Sequence, residues 1–312
     1  MTPELFITRH NALIDPVVRV WSWEIPVYLF LGGWVAGSMI ISGWLARRGR
    51  QPGDGCVCHV LPWLSLVLLS LGMGALFLDL EHRLYVWRMY LTFQPLSPMS
   101  WGGWILILVY PVLLLGALTS IPTDLLSRWP AVAALAARLR QPEAAGRLGM
   151  VSIVAGIALG IYTGILLSSL GARPLWSSAA LGPLFLVSGL STGAAFAHLI
   201  ARNADEQASL LRADTVFLAV ELALIGLVLV GLLTASAVHA NAAALLLGGP
   251  YTAVFWVLVV GLGILLPLLL QALMVSHRIP HTVIAPLLVI GGGLALRFVI
   301  VSAGQYSHWI SP

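Results

Sequence analysis

Charge is scarce in this chain. Only 9% of its 312 residues are charged, against roughly a quarter in a soluble domain, and 59% are hydrophobic. A water-soluble globule is excluded, and the fold class read from composition is an all-α integral membrane protein. Lysine is missing altogether: the 16 basic residues are all arginine, set against 12 acidic ones. The arginines gather in a few loops, so the net charge of +4 reports topology and gives no reason to expect a nucleic-acid partner. Cysteine is nearly absent. Cys56 and Cys58 have no second pair with which to build a zinc or iron–sulfur site, which needs about four ligands, so no metal is expected and the two read as plain thiols in a reducing loop. The first 20 residues, polar and broken by Pro3 and Pro16, lack the charged start, apolar stretch and cleavage site of a signal peptide. The first membrane helix is expected to act as the insertion signal.

What the chain has in abundance is long apolar runs. About 20 apolar residues cross the ~30 Å hydrocarbon layer, and eight windows qualify: 21–46, 58–80, 99–120, 147–169, 176–201, 212–236, 251–275 and 281–303. The loops between them are too short to bury cores of their own, so residues 1–312 read as a single membrane domain. Residues 123–140, opened by Pro122 and Asp124 and carrying Arg128, Arg138 and Arg140, fit either an amphipathic helix along the interface or an ordinary basic connector. Ten arginines fall in the loops after helices 1, 3, 5 and 7, five fall on the other side, and Arg297 lies inside the membrane. By the positive-inside rule both termini face the periplasm or exterior, with the protein in the inner (cytoplasmic) membrane of a bacterium or archaeon.

Polar residues inside or beside these windows are few enough to weigh singly, because unpaired charge near lipid is costly. Glu24 and Tyr28, four apart, share a face at the outer start of helix 1, and Pro26 between them frees a backbone carbonyl. Asp79 ends helix 2 on the same side, followed by His82 and Arg83; the group is either an Asp–Arg pair or a proton-trading site, since histidine titrates near neutral pH. Tyr162 sits about 10 Å deep in helix 4 and needs a partner for its hydroxyl. Glu221 and Arg297, opposite charges in apolar spans, either pair with one another or form steps of a proton path with His198 as its entrance. Haem is not expected, because no histidine lies deep in a span to ligate it. The glycines of Leu31–Gly37 and of 189–193 suit close helix packing, and the 12 tryptophans sit mostly near span ends, as aromatic belts do.

Four blocks together resemble the NrfD/polysulfide reductase membrane-subunit family: WSWEIPVYLFLGGWVAG (Trp21–Gly37), LDLEHRLYVW with FQPLSPMSWGGW (Leu78–Trp104), YTGILLSSLGARPLWSSA (Tyr162–Ala179) and LRFVIVSAGQ (Leu296–Gln305). The resemblance implies eight transmembrane helices in two four-helix bundles. It also implies a haem-free, quinone-reactive anchor (menaquinone or ubiquinone) beside a four-cluster ferredoxin-like iron–sulfur subunit and a molybdopterin catalytic subunit, which carry all the clusters and the molybdopterin. Carried over by position, it puts Tyr28, Glu24, Asp79, His82, Tyr162 and Arg173 at the quinone, with Asp79, Tyr162 and Glu24 catalytic, and Glu221, Arg297 and His198 on a proton path. Some relatives have His or Asn on helix 1, where this chain has Tyr28 and Ile25. The rival reading is a secondary transporter or channel with an intramembrane Glu/Arg path, although no internal repeat supports it. A weaker third is a structural anchor that binds no quinone.

Overall fold

A computed structural model describes residues 21–49, 55–171, 173–276 and 282–309. Eight of its helices are long and apolar enough to cross a membrane. They are α1 Glu24–Arg47, α2 Leu61–Asp79, α3 Pro98–Thr119, α4 Pro142–Ser168, α5 Leu181–Ile200, α6 Ala204–Ala235, α7 Val254–Val275 and α8 Ile284–Tyr306. No strand occurs among the described residues. The protein is a multi-pass integral membrane protein.

Helix starts follow proline and cap chemistry. Pro62, Pro98 and Pro142 occupy first-turn positions of α2, α3 and α4, where a missing N–H costs nothing. α6 starts well before residue 212 because Asn203 accepts from the N–H of Asp205 at 3.0 Å, a side-chain N-cap. The segment 123–140 is not one helix: it divides into Thr123–Leu126 and Pro130–Leu139. Pro130 forces the break, since the residue before a proline is pushed out of the helical region, and Trp129 sits at φ −133°, ψ 80°.

α1, α2, α3 and α4 pack as one four-helix bundle and α5, α6, α7 and α8 as a second, joined where α1 meets α5 and α8 and where α4 meets α5. Close approach of α1 to its neighbours depends on glycine. A Cβ on Gly37 would run into the Gly189 carbonyl of α5 at the seam, and one on Gly43 into the Gly149 carbonyl of α4 within the first bundle. α1 is consequently the central, most enclosed span.

The first half of α7, Val254–Leu265, winds as a π-helix, ending where the N–H of Leu266 reaches the Gly261 carbonyl. Pro267 follows at once. It has no N–H to offer the preceding turn and its ring crowds the carbonyl four residues back, which disfavours ordinary α winding there.

An even number of crossings brings both ends of the bundle to one face, and they are tied there. Trp21 N–H donates to Gln305 Oε1 at 3.0 Å, the Gln305 amide donates back to the Trp21 carbonyl at 2.9 Å, and Trp21 stacks on Trp176. At the opposite, arginine-rich face Cys56 and Cys58 are joined in a disulfide rather than standing as thiols. Their loop meets α6, where Val57 N–H donates to Glu206 Oε1 at 3.2 Å.

Candidate functional site

At the face that carries both helix ends, the first bundle holds a cavity of about 340 Å³, within the size range of small-molecule sites. The start of α1 contributes Tyr28, the end of α2 Asp79, the start of α3 Gly102 and the outer third of α4 Tyr162; the 80–97 connection adds Tyr90. The remaining wall is apolar, including Met73, Leu106 and Leu166. Phe77 and Met99 also line it while 42% and 56% exposed, so the cavity reaches the lipid-facing surface.

The connection over the cavity is held by the first turn of α3. Ser100 Oγ donates to the Thr92 carbonyl and accepts from Gln94 N–H, both at 3.0 Å, and Trp101 Nε1 donates to the Pro95 carbonyl at 2.7 Å. Gly102, next in the same turn, leaves the space that the Tyr162 ring fills: a Cβ there would overlap the Tyr162 hydroxyl. Tyr28 is 4% and Tyr162 5% exposed. Both tyrosines line the cavity, where a ligand could meet their hydroxyls. Burial pushes the Tyr90 phenol above its ordinary value of 10, with neighbouring Tyr110 adding to the shift, so Tyr90 stays a protonated donor across physiological pH.

The structure brings Tyr28, Asp79 and Tyr162 to one cavity. Glu24 stands beside it, within electrostatic reach of Asp79, and its buried Oε2 finds no hydrogen-bond partner among the described residues. Two residues carried over by family likeness do not line the cavity itself. Arg173 points to the end of α8, donating to the Ser307 carbonyl at 3.1 Å and meeting His308 Nδ1 at 2.9 Å; it lies in the α4–α5 connection, whose Trp176 is anchored on the Ile300 carbonyl. His82 lines an open depression formed by residues 78–85, which shares Asp79 and Leu80 with the cavity. Arg83 does not pair with Asp79: it donates to the Leu78 carbonyl at 2.7 Å, at the C-terminal end of α2.

The second bundle carries the other buried ionisable groups. Arg297, 1% exposed, donates to Ser188 Oγ at 2.5 Å and to the Phe185 carbonyl at 2.9 Å, with its guanidinium over the Phe185 ring. Glu221 lies within electrostatic reach of Ser188 and Arg297, so the opposite charges share one buried neighbourhood. Asp214 accepts from Ser191 Oγ at 2.7 Å and from Gln271 Nε2 at 2.6 Å. Seven residues before Glu221, it shares one face of α6 with it, a spacing legible in LRADTVFLAVE that the window starting at 212 hid by placing Asp214 at the membrane edge. His198 is buried in the last turn of α5, two turns beyond Ser191 on the same face.

Known proteins are similar to this sequence over most of its length. Residues 10–307 match the family described as "Polysulphide reductase, NrfD". The C subunit of polysulfide reductase from Wolinella succinogenes is 32% identical over 308 residues, an overlap of 92% of this protein and 94% of the relative. Protein NrfD of Escherichia coli is 32% identical over 304 residues, an overlap of 92% and 95%.

Proposed function

Because the chain belongs to the NrfD polysulphide reductase family, we propose that it is the quinone-reactive membrane subunit of a respiratory oxidoreductase, with the headgroup seated between Tyr28, Asp79 and Tyr162. One observation carries this reading: two buried tyrosines line an apolar, lipid-connected cavity. A quinone supplies a carrier that takes up electrons and protons in equal number and returns them. Tyr28 and Tyr162 fit its carbonyl oxygens by donating their hydroxyl hydrogens. The Asp79 carboxylate, with Glu24 beside it, takes or returns protons at the edge of the site. The apolar walls exclude water, and the gap at Phe77 and Met99 leaves room for an isoprenoid tail to lie in lipid.

The arginine distribution supports placing this face on the outside. There a four-cluster ferredoxin-like iron–sulfur subunit would dock and connect to a molybdopterin catalytic subunit, in keeping with the name of a relative that is one subunit of a polysulfide reductase. In the second bundle the buried groups Asp214, Glu221, Ser188 and Arg297, with His198 two turns from Ser191 on α5, would suit a route for protons from the opposite face toward mid-membrane. Family membership favours this reading over a transporter.

The test is quinol turnover by the purified complex. Tyr162→Phe and Asp79→Asn should each lower it about tenfold or more, within the range of a lost acid–base or positioning group. Full activity in both variants would refute the assigned seat while leaving the anchor role intact.

A further inference from the structure

A second cavity, of about 130 Å³, opens at the arginine-rich end of the first bundle. Its walls are largely apolar, with Leu113, Leu148 and the ring of Pro62, and include buried Ser42 and Ser152, both bonded to the Met39 carbonyl, and the half-exposed Arg140. It is less than half the size of the tyrosine-lined cavity, too small to enclose a ring system together with a tail, and suited to the glycerol-proximal part of an acyl chain that continues into lipid.

The rim is built around Arg140. Its Nε donates to the Thr119 carbonyl at 3.0 Å and its Nη2 to the Ile121 carbonyl, so the guanidinium is pinned at the end of α3. Nη1 has no acceptor among the described residues. Arg47 passes along Gly149 at the cavity wall, and Arg48 stacks on Trp44 nearby. The adjacent carboxylate, Glu143, is engaged by Arg147 at 3.0 Å. A fixed guanidinium donor, surplus positive charge and an apolar slot at one interfacial spot call for an anionic headgroup attached to a hydrocarbon tail.

We propose that this cavity is a seat for an anionic phospholipid, its phosphate on Arg140 and one acyl tail entering over Leu113 and Leu148. The seat needs no quinone, so its test is independent of the function assigned to the other cavity. The purified complex would be delipidated and loaded with phosphatidylglycerol or with phosphatidylcholine of the same acyl composition, and lipid retention read by native mass spectrometry alongside the melting temperature. Phosphatidylglycerol should be retained in preference and should raise the melting temperature. Arg140→Gln should weaken retention about tenfold, the worth of one charge-assisted contact. Ala145→Phe, which fills the mouth from a half-exposed position, should abolish retention without lowering the melting temperature of the delipidated protein. Equal retention of the two lipids would overturn the proposal, as would retention indifferent to both substitutions. So would a matching rise in melting temperature with inorganic phosphate alone, which would mark a plain anion site, or displacement of retained lipid by a quinone but not by phosphatidylglycerol.

Discussion

The two bundles treat their buried polar groups in opposite ways. In α5–α8 the ionisable side chains close on one another and on neighbouring hydroxyls and carbonyls: Arg297 on Ser188 and Phe185, Asp214 on Ser191 and Gln271. In α1–α4 the tyrosine hydroxyls at the larger cavity are left open. Hydroxyls that open on a cavity keep their hydrogen-bonding capacity for whatever enters it. The α5–α8 network is tied mostly to itself, with Arg297 Nε its one buried atom lacking a partner among the described residues; the tyrosine hydroxyls of α1–α4 stay available to a ligand.

The sharpest way to break this contrast is to open the closed network. Arg297→Leu strands Glu221 in the membrane interior and should cost about 3–5 kcal/mol, read as a fall in thermal stability of the purified protein. Arg297→Lys should not restore it, because a point charge cannot reproduce the planar contacts to Ser188, Phe185 and the ring. Next in size is Gly102→Ala, which drives Tyr162 from its place. Quinol turnover should drop on the order of 10²-fold, as misplacement by about 1 Å can do, with a smaller loss of stability. Ser191→Ala removes a donor from Asp214 and should cost about 1–3 kcal/mol. Tyr28→Phe completes the series: at a position lining the cavity, it should leave the melting temperature within a degree or two while lowering turnover about tenfold, one hydrogen bond's worth. If Tyr28→Phe destabilised the protein as much as Ser191→Ala, the distinction between the bundles would fail.

Much of this architecture is visible in the sequence, because apolar runs of membrane length leave little room for other readings. Polar residues that interrupt such runs also stand out, which is how Glu24, Tyr28, Asp79, Tyr162, Glu221 and Arg297 come into view. What stays hidden depends on direction and on absence. Arg173 has the right identity in a family-like block, yet its side chain turns to the end of α8. Gly102 lies in the SPMSWG turn, but a glycine acts there through the volume it leaves to a ring on another helix. Asp214 is obscured by the early start of α6, which a single asparagine cap sets. The disulfide escapes notice because a reducing loop argues against it.

The π-wound stretch of α7 has a consequence for Asp214. Gln271 reaches that acid from the α-helical turns beyond Pro267, so its bearing is inherited from the wider coil before it. Deleting one residue between 254 and 265 and letting the stretch rewind as α would swing everything downstream by about 100°, aiming the amide elsewhere. The meeting of acid and amide is stored as surplus backbone length in a neighbouring helix, a kind of molecular vernier that neither side chain reveals by itself.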